Sequence, residues 1–146
     1  MRRVRALADA AGSPAGRFAV SGGLHAADES AYRAALLDAE RLLGAEHPRL
    51  AVGLTNLATL FYAQGRYADA EPLLQRALAI RETALGAEHP STLNSLNNLA
   101  ELYRAQGRYA DAVPLLQRAL ALCERTLGAK NPMTAQCRRD LEACQV

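Results

Sequence analysis

Leu43-Gly44-Ala45-Glu46-His47-Pro48 recurs as Leu85-Gly86-Ala87-Glu88-His89-Pro90. It heads a block, residues 43 to 84, that is copied into residues 85 to 126 with 28 of 42 positions identical. Ala63-Gln64-Gly65-Arg66-Tyr67-Ala68-Asp69-Ala70 returns unchanged at 105 to 112, and Pro72-Leu73-Leu74-Gln75-Arg76-Ala77-Leu78-Ala79 returns at 114 to 121. A third start, Leu127-Gly128-Ala129-Lys130-Asn131-Pro132, keeps the same phase. A period of this size belongs to stacked supersecondary units, none of which buries its apolar face alone. Function is therefore sought on the surface that stacking creates.

The chain has 146 residues, half of them hydrophobic, with two Phe and no Trp, so its core must be built of Leu and Ala. Both favour helix and β-branched residues are scarce, which points to an all-α protein. The net charge is +2, and residues 1 to 24 carry four Arg against Asp9, leaving residues 25 to 146 slightly acidic. The repeats thus lack the basic footprint of a nucleic-acid-binding surface. No apolar run is long enough for a membrane span. Three Cys without a secretory pattern argue against a disulfide framework and for a reducing, cytoplasmic setting. The Arg-rich start, Met1-Arg2-Arg3-Val4-Arg5, is interrupted by Asp9 before any signal-peptide core, although an organelle address has a similar composition.

Within one unit, Leu54, Leu57, Ala58 and Phe61 stand at i, i+3, i+4 and i+7, matched by Leu96, Leu99, Ala100 and Tyr103. That spacing predicts a first helix with one apolar stripe, opening near Pro48 or Pro90 and stopping before Gly65 or Gly107. A second helix carries Tyr67, Ala70, Leu74, Ala77 and Leu78, copied as Tyr109, Ala112, Leu116, Ala119 and Leu120, and closes at Gly86 or Gly128. Each unit is thus a helical hairpin, with small residues at Ala58, Ala70 and Ala77 allowing close approach.

This pattern of small and large residues resembles the tetratricopeptide repeat, in the 42-residue form seen in kinesin light chains and many bacterial proteins. The resemblance covers residues 28 to 146. It implies an α-solenoid of stacked antiparallel hairpins in a right-handed superhelix. On that basis the chain divides into an N-terminal segment (1–24), flexible or a degenerate helix, and an array (25–146). The array comprises a partial repeat at 25–43, full repeats at 44–85 and 86–127, and a capping helix at 131–144. The partial repeat keeps phase, Tyr32, Ala35 and Leu36 matching Leu74, Ala77 and Leu78, with Asp28 in place of Ala70. In the last helix Arg138 and Glu142 replace Leu96 and Ala100, giving the polar outer face of a cap.

Chemistry-bearing residues are few. His47 and His89 recur in phase beside Glu46 and Glu88 and give way to Asn131 in the third start, which marks a hydrogen-bonding cap before the helix-opening proline and not a catalytic group. Cys137 and Cys144 share a face of the last helix, and Cys123 lies on the helix before. Without a C-x-x-C pair or a His at ligand spacing they are expected to be core residues, neither metal-binding nor redox-active. No phosphate loop, nucleophile elbow or zinc-protease motif occurs, so no catalytic residue, metal or cofactor is expected. Arg66 and Arg108, in the Gly-Arg-Tyr turns, are expected to be solvated.

The resemblance places the first helices along a concave groove, with side chains beside the apolar stripe pointing into it. These are Val52, Thr55, Asn56, Thr59 and Tyr62 on one unit, and Asn94, Asn97, Asn98, Glu101 and Arg104 on the next. Here the copies differ most, while packing positions scarcely change. In the family, the Asn before the Leu-Ala pair often bonds the backbone of an extended peptide, and Asn56 and Asn98 hold that place. The implied function is a non-catalytic scaffold that binds a protein or peptide partner; the alternative is a self-associating structural solenoid segment, either a homo-oligomer or a fragment of a longer repeat array. No nucleic-acid or membrane partner is expected. For the fold, Leu99→Asp sets an unpaired charge on the apolar stripe. Its thermal unfolding, followed by circular dichroism, is expected to lose cooperativity, and a well-folded variant would contradict the assigned helix face.

Overall fold

A computed structural model describes residues 26–145, so the expectation for residues 1–24 lies outside the described residues. Six helices follow one another: α1 (Ala26–Leu43), α2 (Pro48–Ala63), α3 (Tyr67–Leu85), α4 (Pro90–Ala105), α5 (Tyr109–Thr126) and α6 (Pro132–Gln145). No strand occurs among the described residues. Each helix packs on its neighbours in sequence, α2 on α3 and α4 on α5 within the hairpins, α3 on α4 and α5 on α6 between them. The result is an all-α solenoid of stacked hairpins.

One continuous core runs through the stack. Leu54, Leu57, Ala58 and Phe61 of α2 and Leu96, Leu99, Ala100 and Tyr103 of α4 are all buried, as are Ala70, Leu74 and Ala77 of α3 and Ala112, Leu116 and Ala119 of α5. Ala35 and Leu36 of α1 are buried in the same phase. Tyr109 departs from the expected stripe and is 49% exposed. Its counterpart Tyr67 leans on Tyr62, ring centroids 5.2 Å apart, but the next unit has Arg104 where Tyr62 stood, and Tyr109 loses the ring that would cover it.

The connectors terminate and restart the helices by a repeated device. Gly86 and Gly128 take φ of 96° and 88°, values that favour glycine and turn the chain out of the helix. The hydroxyls of Thr92 and Thr134 donate back to the carbonyls of Gly86 and Gly128 at 2.7 and 2.8 Å. Nδ1 of His47 accepts from the backbone N–H of Arg49 at 3.1 Å, and Nδ1 of His89 from that of Ser91 at 3.0 Å. Asn131 does the same with its side-chain oxygen, accepting from the N–H of Met133 at 2.9 Å. The histidines are helix caps, and asparagine is their working substitute.

Arg66 and Arg108 do more than the solvated role expected of them. Arg66 binds Glu29 of the preceding unit at 2.8 Å and Asp69 at 2.9 Å, with its guanidinium 4.3 Å from the Phe61 ring centroid. Arg108 repeats the arrangement with Glu71 at 2.6 Å, Asp111 at 2.8 Å and the Tyr103 ring at 4.4 Å. A second rung joins Arg76 to Glu40 and Arg118 to Glu82. Such half-exposed pairs add little stability individually, but at fixed phase they set how one hairpin sits on the next.

The α3–α4 and α5–α6 interfaces differ at a buried pair in the same phase. Between α3 and α4, the buried Arg81 donates from Nη1 to Ser95 Oγ at 2.7 Å, and burial pulls its pKa down. In the same phase between α5 and α6 stand Cys123 and Cys137, with Sγ atoms 3.7 Å apart. At the end of the array Cys144 is buried, while Arg138 and Glu142 are exposed.

Two substitutions test these packing and capping assignments. His89→Ala is expected to cost about 1 kcal/mol in urea unfolding while His89→Asn stays near wild type, and equal losses would contradict the cap. Ala100→Leu overpacks a buried position of α4 and is expected to cost roughly 1–3 kcal/mol.

Candidate binding groove

The first helices of successive hairpins, α2, α4 and α6, present side chains to a common cleft of about 980 Å³. It is lined by Tyr62 of α2, by Asn97, Asn98, Glu101 and Arg104 of α4, and by Pro132, Met133, Gln136, Cys137 and Asp140 of α6. Asn131 and Leu116 complete it. The helical period explains the set: Asn97, Asn98, Glu101 and Arg104 stand at i, i+1, i+4 and i+7, flanking the stripe of Leu96, Leu99 and Tyr103 that holds α4 in the core.

Of the ten expected groove residues, five meet here: Tyr62, Asn97, Asn98, Glu101 and Arg104. Asn98 is 3% exposed and forms the floor. The other five do not line this cleft. Thr55 and Thr59 are buried, and their hydroxyls turn back onto their own helix, donating to the carbonyls of Ala51 at 2.8 Å and Thr55 at 2.9 Å. Asn94 is exposed on α4, and Val52 and Asn56 are half-buried on α2. The Nδ2 of Asn56 is buried with no hydrogen-bond partner among the described residues.

The α6 wall was not foreseen from the sequence. Gln136 and Asp140 fall one period after Asn94 and Asn98, so the phase rule that chose the α4 residues also chooses them. Treating the last helix as a cap hid them.

The cleft mixes polar and apolar surface, and its ionic groups among the described residues are one guanidinium and two carboxylates. Arg104 lies between two carboxylates, Glu101 at 3.0 Å and Asp140 at 3.4 Å. Gln136 donates to Asp140 at 2.8 Å and accepts from Arg139 at 2.7 Å, a chain of bonds that fixes the wall. Burial, and after it the charge of Glu101, raises the pKa of the Tyr62 hydroxyl, which therefore acts as a neutral donor and acceptor. Burial and the contact with Cys123 push the Cys137 thiol up to about 12. Amides, a phenol and a shared guanidinium can hydrogen-bond a ligand; nothing in the set is arranged as a nucleophile with its base. Among the described residues no group of three or more His, Cys, Asp or Glu could hold a metal, and no helix is long and apolar enough to cross a membrane.

A tetratricopeptide-repeat family model matches three overlapping stretches, residues 23–83, 49–124 and 91–146. Among solved structures, the chain is similar to one described as a kinesin light chain with nearly identical TPR-like repeats from Podosopora anserina. Identity is 24% and the TM-score 0.74, over 98% of this chain and 64% of that one. A single-substitution variant of that protein matches equally, over 63% of its length. BtubC (BKLC) from P. vanneervenii matches at 26% identity and a TM-score of 0.69, over 81% of this chain and 46% of its own. The chain thus spans less than two thirds of the solved chains it resembles. No curated protein matches. Proteins of this repeat type are generally protein-interaction scaffolds, typically without catalytic activity. With the family model covering residues 23 to 146 and the hairpins stacked as described, the chain belongs to the tetratricopeptide repeat family.

Proposed function

We propose that this chain is a protein-interaction scaffold whose cleft between α2, α4 and α6 receives an extended segment of a partner protein. The observation that carries this reading is the lining itself. Asn97, Asn98, Asn131 and Gln136 gather four side-chain amides on one cleft. Asn131 caps Met133 and Gln136 bonds Asp140 and Arg139, but an amide has two N–H donors and two acceptor lone pairs, which leaves capacity for a peptide backbone. Tyr62 and Met133 supply apolar contact beside them. Positions facing this side also differ between the two full units, Val52, Thr55, Thr59 and Tyr62 becoming Asn94, Asn97, Glu101 and Arg104, while the stripe of Leu54, Leu57 and Ala58 is kept as Leu96, Leu99 and Ala100.

The charge pattern narrows the ligand. The one cation lining the cleft among the described residues, Arg104, already sits between Glu101 and Asp140. A strongly acidic segment or a terminal carboxylate would have to displace them, so a neutral or mildly basic internal segment fits better.

Asn56, outside the cleft, has a buried Nδ2 with no hydrogen-bond partner among the described residues. A buried donor without a partner costs about 1–3 kcal/mol, and apolar Leu would avoid that cost. A second reading, self-association through the α1 end, has Leu37 and Leu42 behind it. They are 62% and 60% exposed where the next unit has Ala79 and Ala84 in phase. Light scattering separates the two readings, since a monomer independent of concentration rules out self-association.

Two outcomes are expected. Peptides selected from a random library on the wild-type protein should bind Asn97→Ala, Arg104→Ala and Gln136→Ala about tenfold more weakly or worse by calorimetry, equivalent to roughly 1.4 kcal/mol or more. Arg118→Ala, on α5 and away from the cleft, should bind as wild type; equal binding by all four would end the proposal. Separately, Asn56→Leu should raise the thermal midpoint by a few degrees, and a lower midpoint would mean the amide is satisfied where it stands.

A further inference from the structure

Cys123 and Cys137 occupy the phase that Arg81 and Ser95 occupy one unit earlier. There a charged hydrogen bond of 2.7 Å ties α3 to α4. Here both positions have changed together, and two free thiols, 0% and 2% exposed, face each other from α5 and α6 with sulfurs 3.7 Å apart. In the sequence Cys137 pairs with Cys144 on one helix face; the fold instead brings it against Cys123, across the interface that holds the terminal helix.

Sulfurs in van der Waals contact need to close to about 2.05 Å to bond, a movement within reach of side-chain rotation when both residues already point at each other. Cys137 also lines the cleft and Cys123 does not, so Cys137 is the thiol on the cleft side of the pair.

We propose that Cys123 and Cys137 are a disulfide-forming pair that reacts with low-molecular-weight disulfides and staples α6, one wall of the cleft, to α5. One protein thiolate attacks a sulfur of the small disulfide, forming a mixed disulfide and releasing one small thiolate, which takes up the proton the protein thiol lost. The second protein thiolate attacks the protein-side sulfur of the mixed disulfide. The protein disulfide forms, the second small thiolate leaves and is protonated, and the small disulfide has been reduced to two thiols while the protein lost two hydrogens. The groups facing Cys137 are the Cys123 thiol, the Asn97 amide oxygen at 3.8 Å and the carboxylate of Asp140. With its thiolate scarce in that setting, the folded pair reacts slowly and responds to a sustained excess of oxidant.

The cross-link closes a loop around the connector from α5 to α6. α6 is the last helix of the described array and packs mainly on α5, so fixing it removes fraying at that end and freedom from the unfolded chain. The sulfur geometry carries this independently of what the cleft binds.

The test is to unfold the full chain in urea, refold it through a reduced and oxidised glutathione buffer, alkylate it and map the peptides. Access does not limit the reaction in that protocol. The expected result is an intramolecular Cys123–Cys137 peptide, a mass lower by two hydrogens with no glutathione retained, and a thermal midpoint roughly 5–10 °C higher, all reversed by dithiothreitol. Cys144→Ser should behave as wild type. Cys123→Ser should keep one bound glutathione or stay reduced, without the thermal shift. Three alkylated thiols in the refolded wild type, a bond through Cys144, or a disulfide between chains would each overturn the proposal.

Discussion

A hairpin of two Leu- and Ala-rich helices has more apolar surface than its two members can cover, and this single constraint generates the rest of the molecule. α2 and α3 pack together with Ala58, Ala70 and Ala77 buried alongside Leu54, Leu57, Phe61 and Leu74, small residues beside large ones in one core. What remains uncovered is buried by α1 on one side and α4 on the other. Because every unit carries the same excess in the same phase, the solution found at one interface recurs at the next, and a core without a boundary between units follows.

Apolar packing alone leaves the angle between hairpins loosely set, and polar groups at fixed phase supply the register. Arg66 and Arg108 each hold a carboxylate of the preceding unit, one of their own, and an aromatic ring, so three contacts converge on one guanidinium. The connectors add the glycine turn, the threonine that closes it and the histidine or asparagine cap. An interface changes its chemistry where Arg81 and Ser95 give way to Cys123 and Cys137. Stacking is preserved there while the chemistry is not.

Much of this was legible in the chain, and the misses share a cause. Helix starts, turns, the core stripes and the capping role of His47 and His89 follow from local rules that act within a few residues. Tyr109 was misjudged because its burial depends on Tyr62, whose counterpart is Arg104. The clamps of Arg66 and Arg108 were missed because their partners Glu29 and Glu71 lie 37 residues earlier and become neighbours only through stacking. Thr55 and Thr59 were placed in the groove by helical phase, yet a short hydroxyl can bond its own backbone four residues back, and these do. The α6 wall was hidden by reading a terminal helix as a lid on the core when it is also the third side of the cleft.

Binding, on the function proposed, falls on the side of the stack where α2, α4 and α6 come together. Side-chain amide resonances report on this directly, since asparagine and glutamine stand on both sides of the array. In a titration of the ¹⁵N-labelled chain with a selected peptide, the amides of Asn97, Asn98, Asn131 and Gln136 are expected to shift while those of Gln75 and Gln117, exposed on α3 and α5, stay in place. Shifts centred on Gln75 and Gln117, with the cleft amides unmoved, would contradict it.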